Sequence, residues 1–132
     1  MTDDEFIAML EDCTLSPDSF HHADHVRMAF LYLRRYSALE ALGRFSTSLA
    51  RFAAAMGKAD RYHETITWAF LFIIRERMAR SSRQQTWPEF ASDNADLLNW
   101  KDKDDILKKY YKDETLASPL ARSTFVLPDK IS

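Results

Sequence analysis

Glycine is nearly missing from this sequence. Two glycines and four prolines in 132 residues are too few for a β-rich chain, which needs a turn former roughly every ten residues. The scarcity predicts long helices. Cysteine is rarer still. Cys13 stands alone and cannot form an internal disulfide, so folding is expected not to draw on an oxidising compartment. No apolar run approaches the length that crosses a bilayer, and the opening MTDDEFIAML is acidic where a secretory signal is basic. The expected location is cytoplasmic, with no membrane partner. Nor is there a surplus of one charge: 18 basic and 20 acidic side chains give a formal net charge of −2. Such a chain has no general attraction for phosphate backbones, so no nucleic-acid partner is expected.

Hydrophobic residues make up 46% and charged residues 29% of the chain. At this length they suit one domain with one core, covering residues 1–132. The apolar pattern predicts an all-α compact bundle of about five to six helices. Helix 1 is expected over about 3 to 13, with Phe6, Ile7, Leu10 and Cys13 on one face, and Pro17 turns the chain after it. Helix 2 is expected over about 22 to 36. Helix 3 carries Leu39, Leu42, Phe45, Leu49, Phe52 and Met56 at helical spacing, with Ser37 and Glu40 as its capping box and Gly57 as its stop. Asp60 is the expected cap of helix 4, which runs to about Arg80. Thr86-Trp87-Pro88-Glu89 is a second capping box, with proline at the first helical position. Its helix is followed by another over about 103 to 112. From about 115 the tail shows no helical period and is expected to lie extended over the bundle.

Histidine is scarce too, and its placement is informative. Three of the four imidazoles lie in SFHHADHVR, residues 19–27, and the fourth in RYHETITW, residues 61–68. On a helical wheel of about 100° per residue, His22 and His25 fall in the middle of helix 2's apolar stripe, with Val26, Ala29, Leu33 and Tyr36. His21 falls at its edge. His63 faces inward on helix 4 with Ile66, Thr67, Phe70, Ile74 and Met78. Short connections make consecutive helices antiparallel, so helices 2 to 4 run up, down and up at the centre of the bundle. That places the first turns of helices 2 and 4 at one end. His22, His25 and His63 are therefore expected to converge.

Three inward imidazoles need partners for six ring nitrogens in an apolar layer, and one divalent ion satisfies three of them at once. The sequence therefore points to a metal site of His22, His25 and His63, holding zinc or ferrous iron. Zinc would imply hydrolysis or hydration, and iron oxygen chemistry, in a small metal-dependent enzyme acting on a small-molecule substrate. Glu64 and Tyr62 are the candidate catalytic residues. Glu64 is read as a general base beside the metal or a fourth ligand, and Tyr62, with Thr67, as a donor that orients His63. Tyr32 lies on the histidine side of helix 2, within reach of the same cavity. The alternative is a non-catalytic module that binds a small ligand or metal in a regulatory role. A purely structural role follows if the imidazoles bond backbone carbonyls with no cavity between them. Arg75, Arg77, Arg80 and Arg83 read as cations at a helix C-terminus.

FHHADHVR, RYHETITWAF and the ending FVLPD also resemble a small bacterial all-helical family. Its motifs, F-x-H-x-x-H-[VL]-R and Y-H-x-T-[IL]-T, fall on Phe20, His22, His25 and Arg27, then Tyr62, His63, Thr65 and Thr67. The resemblance covers the middle of the chain and the tail. It implies the choice of His22 over His21 and names no reaction.

Overall fold

Short polar side chains set the helix starts. In a computed structural model describing residues 1–98 and 105–130, Thr2 caps α1 (Asp3–Glu11), accepting from the Glu5 N–H at 3.1 Å while Glu5 reaches back to Thr2. The helix stops before Cys13, which was expected inside it. Asp12 takes the Thr14 N–H, and Cys13 adopts φ +63°, a left-handed conformation that closes the end. A single 3-10 turn at Pro17–Ser19 then leads to α2 (His22–Arg35), where the Asp24 carboxylate accepts the His21 N–H.

Ser37 caps α3 (Ala38–Ala55) through the Glu40 N–H at 3.3 Å. The reciprocal half of the expected box is not made, because the Glu40 carboxylate turns to Arg44 at 2.8 Å. Leu39, expected on the core face, is 82% exposed in the helix's first turn. At the far end the Lys58 and Gly57 N–H groups return to the carbonyls of Ala53 and Ala54. That motif requires a left-handed residue, and Gly57 at φ +72° supplies it.

A second 3-10 turn, Ala59–Arg61, precedes α4 (Glu64–Arg80). The helix begins four residues beyond Asp60, so Asp60 is not its cap. Thr86 and Glu89 cap α5 (Trp87–Asp93) reciprocally, with Pro88 at the second helical position rather than the first. Asn94 breaks the path, and α6 (Ala95–Leu98) follows. Of the helix expected over 103–112, residues 103 and 104 lie outside the described residues, and α7 spans Asp105–Lys108. The expected extended tail is instead helical twice, at α8 (Asp113–Leu116) and α9 (Pro119–Ser123), before it straightens over 124–130. Each helix is about one turn, too short to show a 3.6-residue period, and Ser118 caps the second through the Ala121 N–H.

The chain is all-α: among the described residues there is no strand. None of the helices is long and apolar enough to cross a membrane among those residues. The second helix is the hub. It packs against α1, α3, α4, α5 and α6, which explains why Met28, Phe30, Leu31 and Tyr32 are buried on flanks that a single stripe would expose. Tyr32 is spent in this packing, its hydroxyl 3.4 Å from Ser48, and burial raises its pKa to about 12. It does not line the cavity described below. The arginines at the end of α4 pair locally: Arg77 forks onto Asp96 at 2.9 Å, Arg80 meets Glu76, and Arg83 meets Glu89.

The straight segment after α9 is fastened at its start by the buried Thr65 hydroxyl and further along by Asp129, which takes the Lys112 N–H. Thr65 Oγ1 donates to the Thr124 carbonyl at 2.8 Å and accepts the Val126 N–H at 3.0 Å. Phe125 stacks on Trp68 with centroids 5.3 Å apart, and the Tyr111 hydroxyl donates to the Val126 carbonyl. Replacing Thr65 by the near-isosteric valine keeps the packing and strands both backbone groups, so it should cost about 2 kcal/mol or more. Limited proteolysis should then cut first within 124–130, and Thr65→Ser should protect that segment. Equal resistance of Thr65→Val and the parent would show that the hydroxyl does not hold it.

Candidate functional site: a histidine-lined cavity

The three helices α2, α3 and α4 do not close completely on one another. Between them lies a cavity of about 410 Å3, within the size range of small-molecule sites. Its walls are mostly apolar: Val26 and Ala29 from α2, Phe45, Leu49 and Phe52 from α3, Ile66, Phe70 and Ile74 from α4. His22, His25 and His63 all line it, so the parallel run of α2 and α4 brings the predicted imidazoles to one space. Tyr62 and Thr67 line it as well, and Lys58 and Arg61 stand where it meets the 56–62 turn. His21 is exposed and does not contribute, as the wheel required.

The imidazoles have different employments. His63 occupies the N-cap of α4, a place more often held by Ser, Thr, Asp or Asn. Its Nδ1 accepts the Ile66 N–H at 3.1 Å, and its Nε2 lies 2.7 Å from the Leu116 carbonyl oxygen of α8. A carbonyl has no proton to give, so Nε2 carries the hydrogen and Nδ1 the lone pair: the ring is neutral and both nitrogens are engaged. His22 Nε2 likewise donates to the Leu97 carbonyl of α6 at 2.8 Å, and its ring meets Phe70 edge-on at 5.2 Å. His25 stacks on Phe20, with centroids 4.1 Å apart and planes 25° apart. Its nitrogens make no hydrogen bond to any described residue, and the residue is half-buried on the cavity wall.

Burial, the largest cause, lowers the pKa of all three. For His22 and His63 the bonded carbonyls pull the other way, and for His63 the nearby Arg122 guanidinium pushes further down. His25 falls to about 4, with the neighbouring His22 adding to desolvation and Asp24 opposing it. Neutral imidazoles therefore face the cavity at neutral pH.

This arrangement departs from the facial three-histidine centre expected from the sequence. A ligating nitrogen must offer a lone pair, and the one His63 possesses is bound to the Ile66 N–H. Among the described residues no group of three or more His, Cys, Asp or Glu side chains is placed to hold a metal ion. The residues as placed do not fit zinc or iron without rupture of the cap. Tyr62 does not orient His63; its hydroxyl donates to Glu64 Oε1 at 2.5 Å. Burial first, and this carboxylate second, raise the Tyr62 pKa, while Thr67 and Ser46 oppose the rise. Glu64 itself is not among the residues that line the cavity.

Sequence reasoning missed the two backbone acceptors, Leu97 and Leu116, because a carbonyl leaves no mark in residue type. No known protein family, no curated protein and no solved structure matches this chain.

Two measurements test these assignments. An unfolded chain protonates His25 near pH 6.5 and the native protein only near pH 4. Above pH 6.5 both states are neutral there. Between 6.5 and 4 the unfolded state binds more protons, so stability falls as pH falls, by up to about 3 kcal/mol for this group. Urea titrations of His25→Phe at pH 7 and pH 4.5 should show a much shallower loss than the parent; an unchanged slope would place the sensitivity elsewhere. Separately, His63→Ala should cost about 2–4 kcal/mol, from the lost cap and the stranded Leu116 carbonyl. His63→Asn can still accept the Ile66 N–H, so its cost should be about half.

Proposed function

We propose that this protein binds a small, largely apolar molecule in the cavity between α2, α3 and α4, as a ligand-binding module of the bundle. The observation that carries this reading is the cavity of about 410 Å3 itself, mostly apolar and with the half-buried His25 imidazole on its wall, whose nitrogens bond no described residue. Ligand pockets of this kind pair an apolar lining with a few polar groups that orient the occupant. A ligand carrying a donor or acceptor meets His25, with Thr67 and Tyr62 as further polar contacts on the wall.

The test is native mass spectrometry of the full chain purified from cells, followed by thermal denaturation with candidate ligands. A co-purifying small molecule, or a ligand that raises Tm by several degrees, is the expected outcome. Saturation at 100 times Kd adds about 2.7 kcal/mol. Ala53 lines the cavity from α3 without being fully buried, so Ala53→Phe should fill the space, keep the fold and weaken binding. Binding indifferent to Ala53→Phe would place the ligand outside the cavity.

A metal-dependent enzyme in the same cavity is the second reading. It is favoured by one observation: His22 and His25 share a wall one turn apart, close enough that His22 disfavours the proton of His25. It requires His63 to leave its cap, with Glu64 as the base. Elemental analysis of protein purified without an affinity tag separates the readings. Stoichiometric zinc or iron would support the enzyme; a metal-free protein that binds an organic ligand supports the module.

A further inference from the structure

We propose that the ligand is an anionic amphiphile: an apolar body seated against Phe45, Leu49 and Phe70, with one carboxylate held at the cavity mouth by Lys58 and Arg61. The proposal deepens the cavity reading above and rests on it. The mouth carries the argument. Lys58 and Arg61 both line the cavity where the α3–α4 connection borders it, and neither makes an ion pair or side-chain hydrogen bond with a described residue. Six arginines elsewhere, Arg27, Arg35, Arg44, Arg77, Arg80 and Arg83, each meet a carboxylate; Arg51 and Arg75 make no ion pair with a described residue either, but they do not line the cavity.

A third positive charge stands close by. Arg122 of α9 donates to the Asp60 carbonyl at 2.6 Å, which ties the C-terminal helices to this connection. Two acids share the neighbourhood. Asp60 lies between the two cations in sequence, and Glu64 is occupied by the Tyr62 hydroxyl. The balance at the mouth is positive, so a cationic headgroup is disfavoured and a carboxylate fits. The inner wall selects for the body. The rest of the lining is mostly aliphatic and aromatic, interrupted by the three histidines, Tyr62 and Thr67. At the packing density of protein interiors the cavity takes about 300 Å3 of ligand, the size of a long-chain fatty acid.

The experiment is calorimetric titration of the full chain with three probes below their micelle concentrations: dodecanoate, dodecanol and dodecyltrimethylammonium. The expected result is one-to-one binding of dodecanoate, about tenfold or more tighter than dodecanol, with the cation weakest. The double variant Lys58→Gln/Arg61→Gln removes no ion pair or side-chain hydrogen bond to a described residue and should keep its Tm. It should bind dodecanoate and dodecanol alike, and high salt should narrow the gap in the parent. Dodecanoate binding no tighter than dodecanol, or unaffected by the double variant, overturns the headgroup assignment and leaves the cavity reading standing. Failure of both dodecanoate and dodecanol to bind, or binding indifferent to Ala53→Phe, overturns the cavity reading itself.

Discussion

One neutral imidazole holds the working end of this bundle together. His63 caps the first turn of α4 through Nδ1 and anchors α8 through Nε2. Both bonds depend on a single tautomer, because a protonated ring has no lone pair for the Ile66 N–H. Two elements separated by about fifty residues are thus tied at one ring, beside the cavity. His22 repeats the device, joining the start of α2 to the Leu97 carbonyl of α6. The short helices that follow α4 have little core of their own, and these two bonds give them a fixed place on the bundle. Desolvation keeps both rings uncharged, and the positive end of a helix dipole acts in the same sense.

That employment separates the histidines into two kinds. His22 and His63 are joints of the fold, whose replacement loosens α6 or α8. His25, on the same wall, stacks on Phe20, bonds no described residue through its nitrogens and faces the space the joints enclose. The apparent cluster is therefore two residues that bond distant carbonyls and one that does not. Tyr62 belongs with the first kind in part. Its hydroxyl is committed to Glu64, while its ring forms cavity wall.

Much of the scaffold was legible because its signals are local. Ser37 before α3, Gly57 after it and Thr86 with Glu89 before α5 each satisfy the backbone within four residues of themselves, so residue type and spacing suffice. The apolar phases of α2 and α4 selected His22, His25 and His63 and discarded His21 for the same reason. Legibility failed where a partner lies far along the chain or carries no side-chain signature. Asp60 has the right chemistry for a cap and sits three residues too early, on a 3-10 turn, while the actual cap is a histidine. The tail's helices are single turns that no periodicity reveals, and Leu39 shares the apolar phase yet lies at a helix start with nothing above it.

The amino-acid sequence by itself determined the all-α class, the lengths of α2 and α3, and the inward phase of three imidazoles. Those follow from turn-former scarcity, capping chemistry and the 3.6-residue repeat, which act over one or two turns of chain. Only the tertiary structure decided what the imidazoles do. Whether an inward nitrogen meets a metal, a carbonyl or an empty space depends on which distant backbone arrives beside it. Here Leu97 and Leu116 arrive beside two of the rings, and a cavity lies beside the third.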